Sequence, residues 1–136
     1  MSLINVDQLK TLLNDPGVRV VDTRWYLADV WQGRREYETS HIPGALFLDI
    51  EDDLSTPGHG SGRHPLPDWD VFVRRISEAG IGNHHRVIVY DTADGSIAAR
   101  LWWMLRRLGH DNVAVLNGGW TAWINAGLPK EREIPT

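Results

Sequence analysis

The alternation of apolar and polar residues along the chain predicts short strands separated by amphipathic helices. Short runs rich in β-branched residues are typical of buried strands, and apolar residues three or four apart are typical of helices. The clearest unit is a strand at residues 87–90, a helix, and a second strand at residues 113–116. The apolar positions of this helix are Ile97, Leu101, Leu105 and Leu108. Two strands joined by such a short helical crossover must be parallel.

The rest of the chain repeats these patterns. The predicted helices cover residues 6–13, 34–40, 69–79 and 120–126, and the further predicted strands cover residues 18–22 and 46–49. Asp68 and Ser96 are predicted helix N-caps, and Gly109 is a predicted C-terminal stop. Residues 52–67 are rich in Gly, Pro, Ser and His without periodicity, which predicts an irregular surface loop. We therefore predict one α/β domain over residues 1–136, in which residues 129–136 form a polar tail or the start of an interdomain linker.

A candidate site follows the strand at residues 87–90, because ligands of parallel sheets bind at the carboxyl ends of the strands. Backbone amides at the start of the next helix form a potential cradle for a small anion, and we expect Asp91 or Asp94 to fill the anion's place. An Asp- and Gly-containing turn is also common in α/β proteins without any site, so that interpretation stays open. The loop residues are Asp91, Thr92, Ala93, Asp94, Gly95, Ser96 and Ile97.

Trp25 is a second candidate, as a cleft or interface residue. It follows the predicted strand at residues 18–22, so it should reach the same sheet edge as the Asp91 loop. An aromatic side chain at that edge is suited to contact with a partner or a ligand.

The composition excludes several kinds of function. The 136 residues include no cysteine, which rules out disulfides, thiolate metal sites and thiol catalysis. A formal charge of −4 gives no electrostatic footprint for nucleic acid. No apolar run approaches the roughly 20 residues of a membrane helix, and no signal-like stretch opens the chain. We therefore expect a cytoplasmic protein that binds neither nucleic acid nor membranes.

Metal binding and carboxylate chemistry would each depend on a few side chains. A metal site is not expected, because the adjacent His84 and His85 would point to opposite faces of a strand, and His59 and His64 lie in the predicted loop with glycine between them. Asp91 or Asp94 is a conceivable carboxylate nucleophile, but such chemistry needs a metal and a cation, and the nearest cation in sequence is Arg100. A turn-forming aspartate pair is the simpler interpretation.

Several segments, in order along nearly the whole chain, resemble rhodanese domains. The run GSIAARLWWMLRRLGH is similar to the N-terminal domain of tandem-domain thiosulfate or 3-mercaptopyruvate sulfurtransferases. The matching segments are DTRWYL at 22–27, GRREYETSHIPGALFLDI at 33–50, RHPLP at 63–67, VIVYDTADGSIAARLWWMLRRLGH at 87–110 and VAVLNGGWTAWINAGLP at 113–129.

This resemblance implies an α/β rhodanese fold, with a central, mostly parallel five-stranded sheet flanked by helices on both faces. It also implies that the catalytic cysteine belongs to a second domain, since the family's cysteine position falls here on Thr92 or Asp91. The chain would then have no catalytic residue and no cofactor, and would shape the active-site cleft of a cysteine-bearing rhodanese domain in the same full-length chain or in trans. A stand-alone rhodanese-like binding or regulatory module is the alternative.

Overall fold

The computed structural model of the chain describes residues 2–50, 53 and 68–135. In chain order the elements of this part of the chain are β1 (Leu3–Ile4), α1 (Val6–Leu12), β2 (Val18–Asp22), α2 (Gln32–Thr39), β3 (Leu46–Phe47), α3 (Trp69–Glu78), β4 (Arg86–Tyr90), α4 (Ser96–Arg107), β5 (Val113–Leu116) and α5 (Gly119–Asn125). The five strands form one parallel sheet, as the resemblance implies, in the spatial order β1-β5-β4-β2-β3. The helices α1 to α4 connect successive strands, and α5 follows β5.

The central strands are buried on both faces, and their alternate residues supply two hydrophobic cores. In β4, Val87 and Val89 pack in one core with α3 and α4. Ile88 and Tyr90 pack in the other core with α1, α2 and α5. This alternation follows from the two-residue period of a strand, and helices on both faces are what an all-parallel sheet requires.

The path of the chain through the sheet determines where a site can form. From β2 the chain runs through α2 to β3 on one side, whereas from β4 it runs through α4 to β5 on the other side. The helices α2 and α4 also lie on opposite faces of the sheet. A crevice opens between neighbouring strands at such a switch point, outside their carboxyl ends. The loops that follow β2 and β4 therefore meet at this edge.

Several predicted bounds differ from the structure in detail, and one strand was not predicted. The two-residue edge strand β1 was not predicted, because it is too short to show alternation. The predicted strand at 46–49 stops pairing after Phe47, and the predicted helices at 34–40 and 120–126 begin earlier, at Gln32 and Gly119. The prediction for residues 52–67 lies outside the described residues, apart from Asp53.

The prediction of Ser96 as the N-cap of α4 was wrong. Gly95 holds the N-cap position at φ 83°, in the left-handed region where the absence of a Cβ removes the steric penalty, and Ser96 is the first helical residue. The placement of His84 and His85 on a strand was also wrong. The His85 amide closes a turn onto the Gly82 carbonyl before β4 begins, and the two imidazole rings lie 4.0 Å apart.

The segment after α5 is tied to the domain. The backbones of His41 and Glu131 bond to each other in both directions, at 2.8 and 2.9 Å, and the Glu131 carboxylate accepts the Gly44 amide at 2.6 Å. Nearer α5, the Trp123 indole donates to the Pro129 carbonyl at 2.6 Å. Residues 129–131 therefore pack as part of the domain.

We predict that the free energy of unfolding falls as the pH drops below about 6.5, the usual pKa of histidine. The His41 ring is fully buried and stacks on Tyr37 at 4.3 Å. Burial lowers its pKa, with the Arg24 charge acting the same way and Glu131 opposing it. Because the unfolded chain binds the proton more readily, the stability contribution is complete above the unfolded pKa and is lost as the pH falls through it.

Urea denaturation at a series of pH values between 5 and 8 measures this dependence. One proton accounts for a slope of at most about 1.4 kcal/mol per pH unit. The His41→Gln variant should show a flatter profile than the wild type, and the slope that remains includes the contribution of His85, whose pKa burial also lowers. Equal profiles for His41→Gln and the wild type would contradict the assignment to His41.

Candidate functional site

A pocket of about 540 Å³ lies where the loops after β2 and β4 meet. The structure thus brings Trp25 to the same edge as the Asp91 loop, as the sequence predicts. The walls are mostly apolar, and the hydroxyl and carboxylate groups come from few side chains. The lining residues are Trp25, Tyr26, Leu27, Ala28, Asp91, Thr92, Ala93, Asp94, Ser96 and Ile97.

The Asp91 carboxylate occupies the amino end of α4. It accepts hydrogen bonds from three backbone amides, those of Gly95 at 3.0 Å, Ile97 at 3.0 Å and Ala98 at 2.9 Å. Amides at a helix start have no partner within the helix, and the helix dipole favours a negative charge there. Since Asp91 is only 3% exposed, its own carboxylate takes the place that an external anion would need.

The backbone of the same loop is held by α5. The Asp91 carbonyl accepts the Trp120 amide at 2.8 Å, and the Thr92 carbonyl accepts the Thr121 amide at 2.9 Å. This close approach depends on Gly119, because a Cβ there would lie 2.5 Å from the Asp91 carbonyl oxygen. The Asp91 loop is therefore held by two helices, through its carboxylate to the start of α4 and through its backbone carbonyls to α5.

Asp94 has a different role in the loop. It is exposed, and one of its carboxylate oxygens accepts both the Ser96 amide at 2.9 Å and the Ser96 hydroxyl at 2.8 Å. These two bonds lower the pKa of Asp94. Asp94 thus closes a local turn at the pocket rim and keeps its negative charge facing solvent.

Tyr26 joins the two loops. Its hydroxyl lies 2.7 Å from Glu36 Oε1 on α2 and 2.6 Å from Thr92 Oγ1 in the Asp91 loop. Burial raises the pKa of Tyr26, so the phenol is protonated at neutral pH. Sequence analysis did not single out this residue, since only the fold brings α2 and the Asp91 loop together.

Trp25 is half-buried at the pocket. Its ring packs against the core between the sheet and helices α3 and α4, as Ile97 also does. Leu27, two residues further along, is 58% exposed. The apolar surface at this edge therefore combines one anchored ring with one freely accessible side chain.

A buried ion pair, which sequence analysis missed, lies at the end of β2. Arg24 donates its Nε to the Asp22 carboxylate at 2.9 Å, and the Tyr90 hydroxyl donates to the same carboxylate at 2.8 Å. The guanidinium group also donates to the Ser40 carbonyl at 2.7 Å and lies 4.4 Å from the centre of the Trp120 ring. Asp22 and Arg24 are at most 2% exposed. A charged pair directly after an apolar run was the only sequence signal for it.

Within the described part of the chain, no three His, Asp or Glu side chains are grouped so that they could hold a metal ion. None of its helices has the length and apolar character needed to cross a membrane. His59 and His64 lie outside the described residues.

Comparison with known proteins places the whole fold in one family. The family model described as rhodanese-like domain matches residues 5–126. The chain is 43% identical over 129 residues to a probable 3-mercaptopyruvate sulfurtransferase of Pseudomonas aeruginosa, covering 93% of this chain and 45% of that protein. It is 39% identical over 135 residues to thiosulfate/3-mercaptopyruvate sulfurtransferase 2 of Arabidopsis thaliana, covering 97% of this chain and 38% of that protein.

A solved structure agrees with these relatives. The 3-mercaptopyruvate sulfurtransferase from Leishmania major superposes with a TM-score of 0.89 at 31% sequence identity, covering 99% of this chain and 37% of that chain. The chain therefore spans less than half the length of the relatives it matches here.

We predict that Asp91→Ala lowers the free energy of unfolding by about 1–3 kcal/mol, because it leaves buried amides without an acceptor. The control is Asp94→Ala, which removes an exposed carboxylate from the same loop; its two bonds to Ser96 face solvent, so it should cost less than Asp91→Ala, about 0.5–1 kcal/mol. Urea denaturation of both variants measures the difference. Equal losses would show that the amides of Gly95, Ile97 and Ala98 do not depend on Asp91.

Proposed function

Because the chain belongs to the rhodanese-like domain family, we propose that it is the non-catalytic domain of a thiosulfate or 3-mercaptopyruvate sulfurtransferase. In this role it forms one wall of the active-site cleft of a cysteine-bearing rhodanese domain, in the same full-length chain or in trans. The names of its relatives and their greater length support the proposal. The absence of cysteine from the sequence fits the cysteine-free domain of such a tandem protein.

The chemistry of the Asp91 loop carries the proposal. Sulfur transfer of this kind needs a thiolate that attacks the donor sulfur and is stabilised by nearby amides or cations. Here the amides at the start of α4 are bonded to the Asp91 carboxylate, and neither Asp91 nor Thr92 can form a persulfide. The loop keeps the position of an active site without the reacting group.

The same bonds argue against a carboxylate-dependent phosphate enzyme. Both Asp91 carboxylate oxygens accept amide hydrogens, and the side chain is almost fully buried, so it is poorly placed to attack a phosphate. Asp94 is accessible, but it is bonded to Ser96 and has no metal-binding group among the described residues beside it. The stand-alone module differs from our proposal only in lacking a catalytic partner, which an experiment can decide.

We predict that the chain by itself forms no thiocyanate from cyanide with thiosulfate or 3-mercaptopyruvate, because no side chain can carry the sulfur. The measurement is the colorimetric thiocyanate assay, with the intact Pseudomonas aeruginosa relative tested in parallel. A rate clearly above the buffer blank, retained after contaminating sulfurtransferases have been removed, would refute the non-catalytic role.

We further predict that the chain can replace the matching 129-residue segment of that relative and yield a chimaera that transfers sulfur. In the chimaera, Trp25→Ala should lower kcat/KM about tenfold or more, because a gap in the cleft wall lets the reacting groups lose alignment. Trp103→Ala is the matched control, since Trp103 is a partly exposed tryptophan on α4 that does not line the pocket.

The chimaera separates the two functions. A folded chimaera without activity would favour the stand-alone module. An active chimaera in which Trp25→Ala and Trp103→Ala behave alike would remove Trp25 from the cleft wall. Thermal denaturation of each variant shows whether a loss of activity reflects unfolding.

A further inference from the structure

The Tyr26 hydroxyl lies between two side chains that belong to other parts of the fold. Tyr26 follows β2, Glu36 belongs to α2, and Thr92 follows β4. The hydroxyl lies within 2.7 Å of an oxygen on each of the other two residues. The helix α2 packs on one face of the sheet, whereas the Asp91 loop leads into α4, which packs on the other face. The Tyr26 hydroxyl therefore connects α2 to the loop that precedes α4.

The direction of these hydrogen bonds follows from the groups themselves. An ionised carboxylate can only accept, so the Tyr26 hydroxyl donates its proton to Glu36. The Thr92 hydroxyl must then donate to the Tyr26 oxygen. Glu36 also accepts a bond from Gln32 at 3.3 Å, one turn earlier on α2. The result is an ordered chain of donors that runs from the Asp91 loop into α2.

We infer that Tyr26 is the positioning residue of the cleft wall: its hydroxyl holds the loop after β2 against the Asp91 loop and so sets the shape of the pocket. This inference rests on the proposed function for its consequence in catalysis, but the positioning itself concerns this chain alone. The neighbours Trp25 and Leu27 flank Tyr26 in sequence and both line the pocket. Because Tyr26 lies between them in the chain, holding Tyr26 in place also positions the side chains of Trp25 and Leu27.

Two backbone amides report on the loops directly. The Asp29 amide donates to the Tyr26 carbonyl at 3.2 Å, and the Thr121 amide donates to the Thr92 carbonyl at 2.9 Å. Local opening of either loop exposes its reporter amide to exchange with solvent. A neutral or charge-assisted hydrogen bond is worth about 0.5–3 kcal/mol, which corresponds to about a 2- to 150-fold change in the opening equilibrium.

The experiment is hydrogen exchange of the whole chain, followed amide by amide by NMR. Tyr26→Phe should speed exchange of both reporter amides at least threefold. Thr92→Val should speed exchange at Thr121, and adding it to Tyr26→Phe should give no further increase there, because both changes remove the same bond. Glu36→Gln keeps an acceptor and should leave both amides protected.

Tyr37→Phe is the matched control, since it removes a phenolic hydroxyl from α2 that donates to the Ala45 carbonyl, away from the pocket. It reveals how far a general loss of stability alone raises exchange. If Tyr26→Phe affects the two reporter amides no more than Tyr37→Phe does, the positioning role is overturned.

The active chimaera tests the consequence for catalysis. Tyr26→Phe should lower its kcat/KM at least threefold. Glu36→Ala should also lower it, whereas Glu36→Gln, which keeps an acceptor, should retain most of the wild-type value. Unchanged kinetics in Tyr26→Phe would overturn the link to the cleft while leaving the proposed function intact. An inactive chimaera would instead count against the proposed function, and the exchange result would still decide whether Tyr26 positions the loops.

Discussion

The carboxyl edge of the sheet depends on the buried ion pair between Asp22 and Arg24. Tyr90 from β4 donates to the same carboxylate, and the guanidinium group reaches the carbonyl of Ser40 after α2 and the ring of Trp120 in α5. Loss of one partner would leave an uncompensated buried charge, which costs about 3–5 kcal/mol. The elements that meet here are thus held in one arrangement, and both pocket loops start from fixed points.

Burial raises the pKa of the Asp22 carboxyl, and the charge and hydrogen bonds of Arg24 oppose that rise. The sheet therefore ends in a polar cluster whose charges are matched inside the domain. The pocket of the Asp91 loop draws its polarity from other groups, mainly the hydroxyls of Tyr26 and Thr92 and the exposed carboxylate of Asp94. The Arg24 charge nevertheless acts on Tyr26 and interacts with Glu36, so the ion pair and the polar groups that join the two pocket loops are electrostatically coupled.

Sequence patterns predicted the parts of the fold that repeat over several residues. The sequence correctly predicted strands β2 and β5 and the end of α4 before Gly109. The spacing of apolar residues and the position of the glycine are local signals for these features. The edge strand β1 and the N-cap at Gly95 were not predicted, because a short run of residues does not reveal pairing partners or backbone angles. The contact of Tyr26 with Thr92 joins residues 66 positions apart, so it depends on the sheet order rather than on any local signal.

The different surroundings of Asp91 and Thr92 determine what a cysteine introduced at either position could do. A thiol at position 91 would be nearest to the amides of α4, but the side chain now at that position is only 3% exposed, so a donor molecule would have little access to it. At position 92 a thiol would line the pocket, but there the present side chain bonds to Tyr26 instead of to those amides. A cysteine at position 91 would thus lie near activating amides but have little access to a donor, whereas a cysteine at position 92 would be accessible but lack those amides. The rate at which each engineered thiol reacts with iodoacetamide would measure this separation directly.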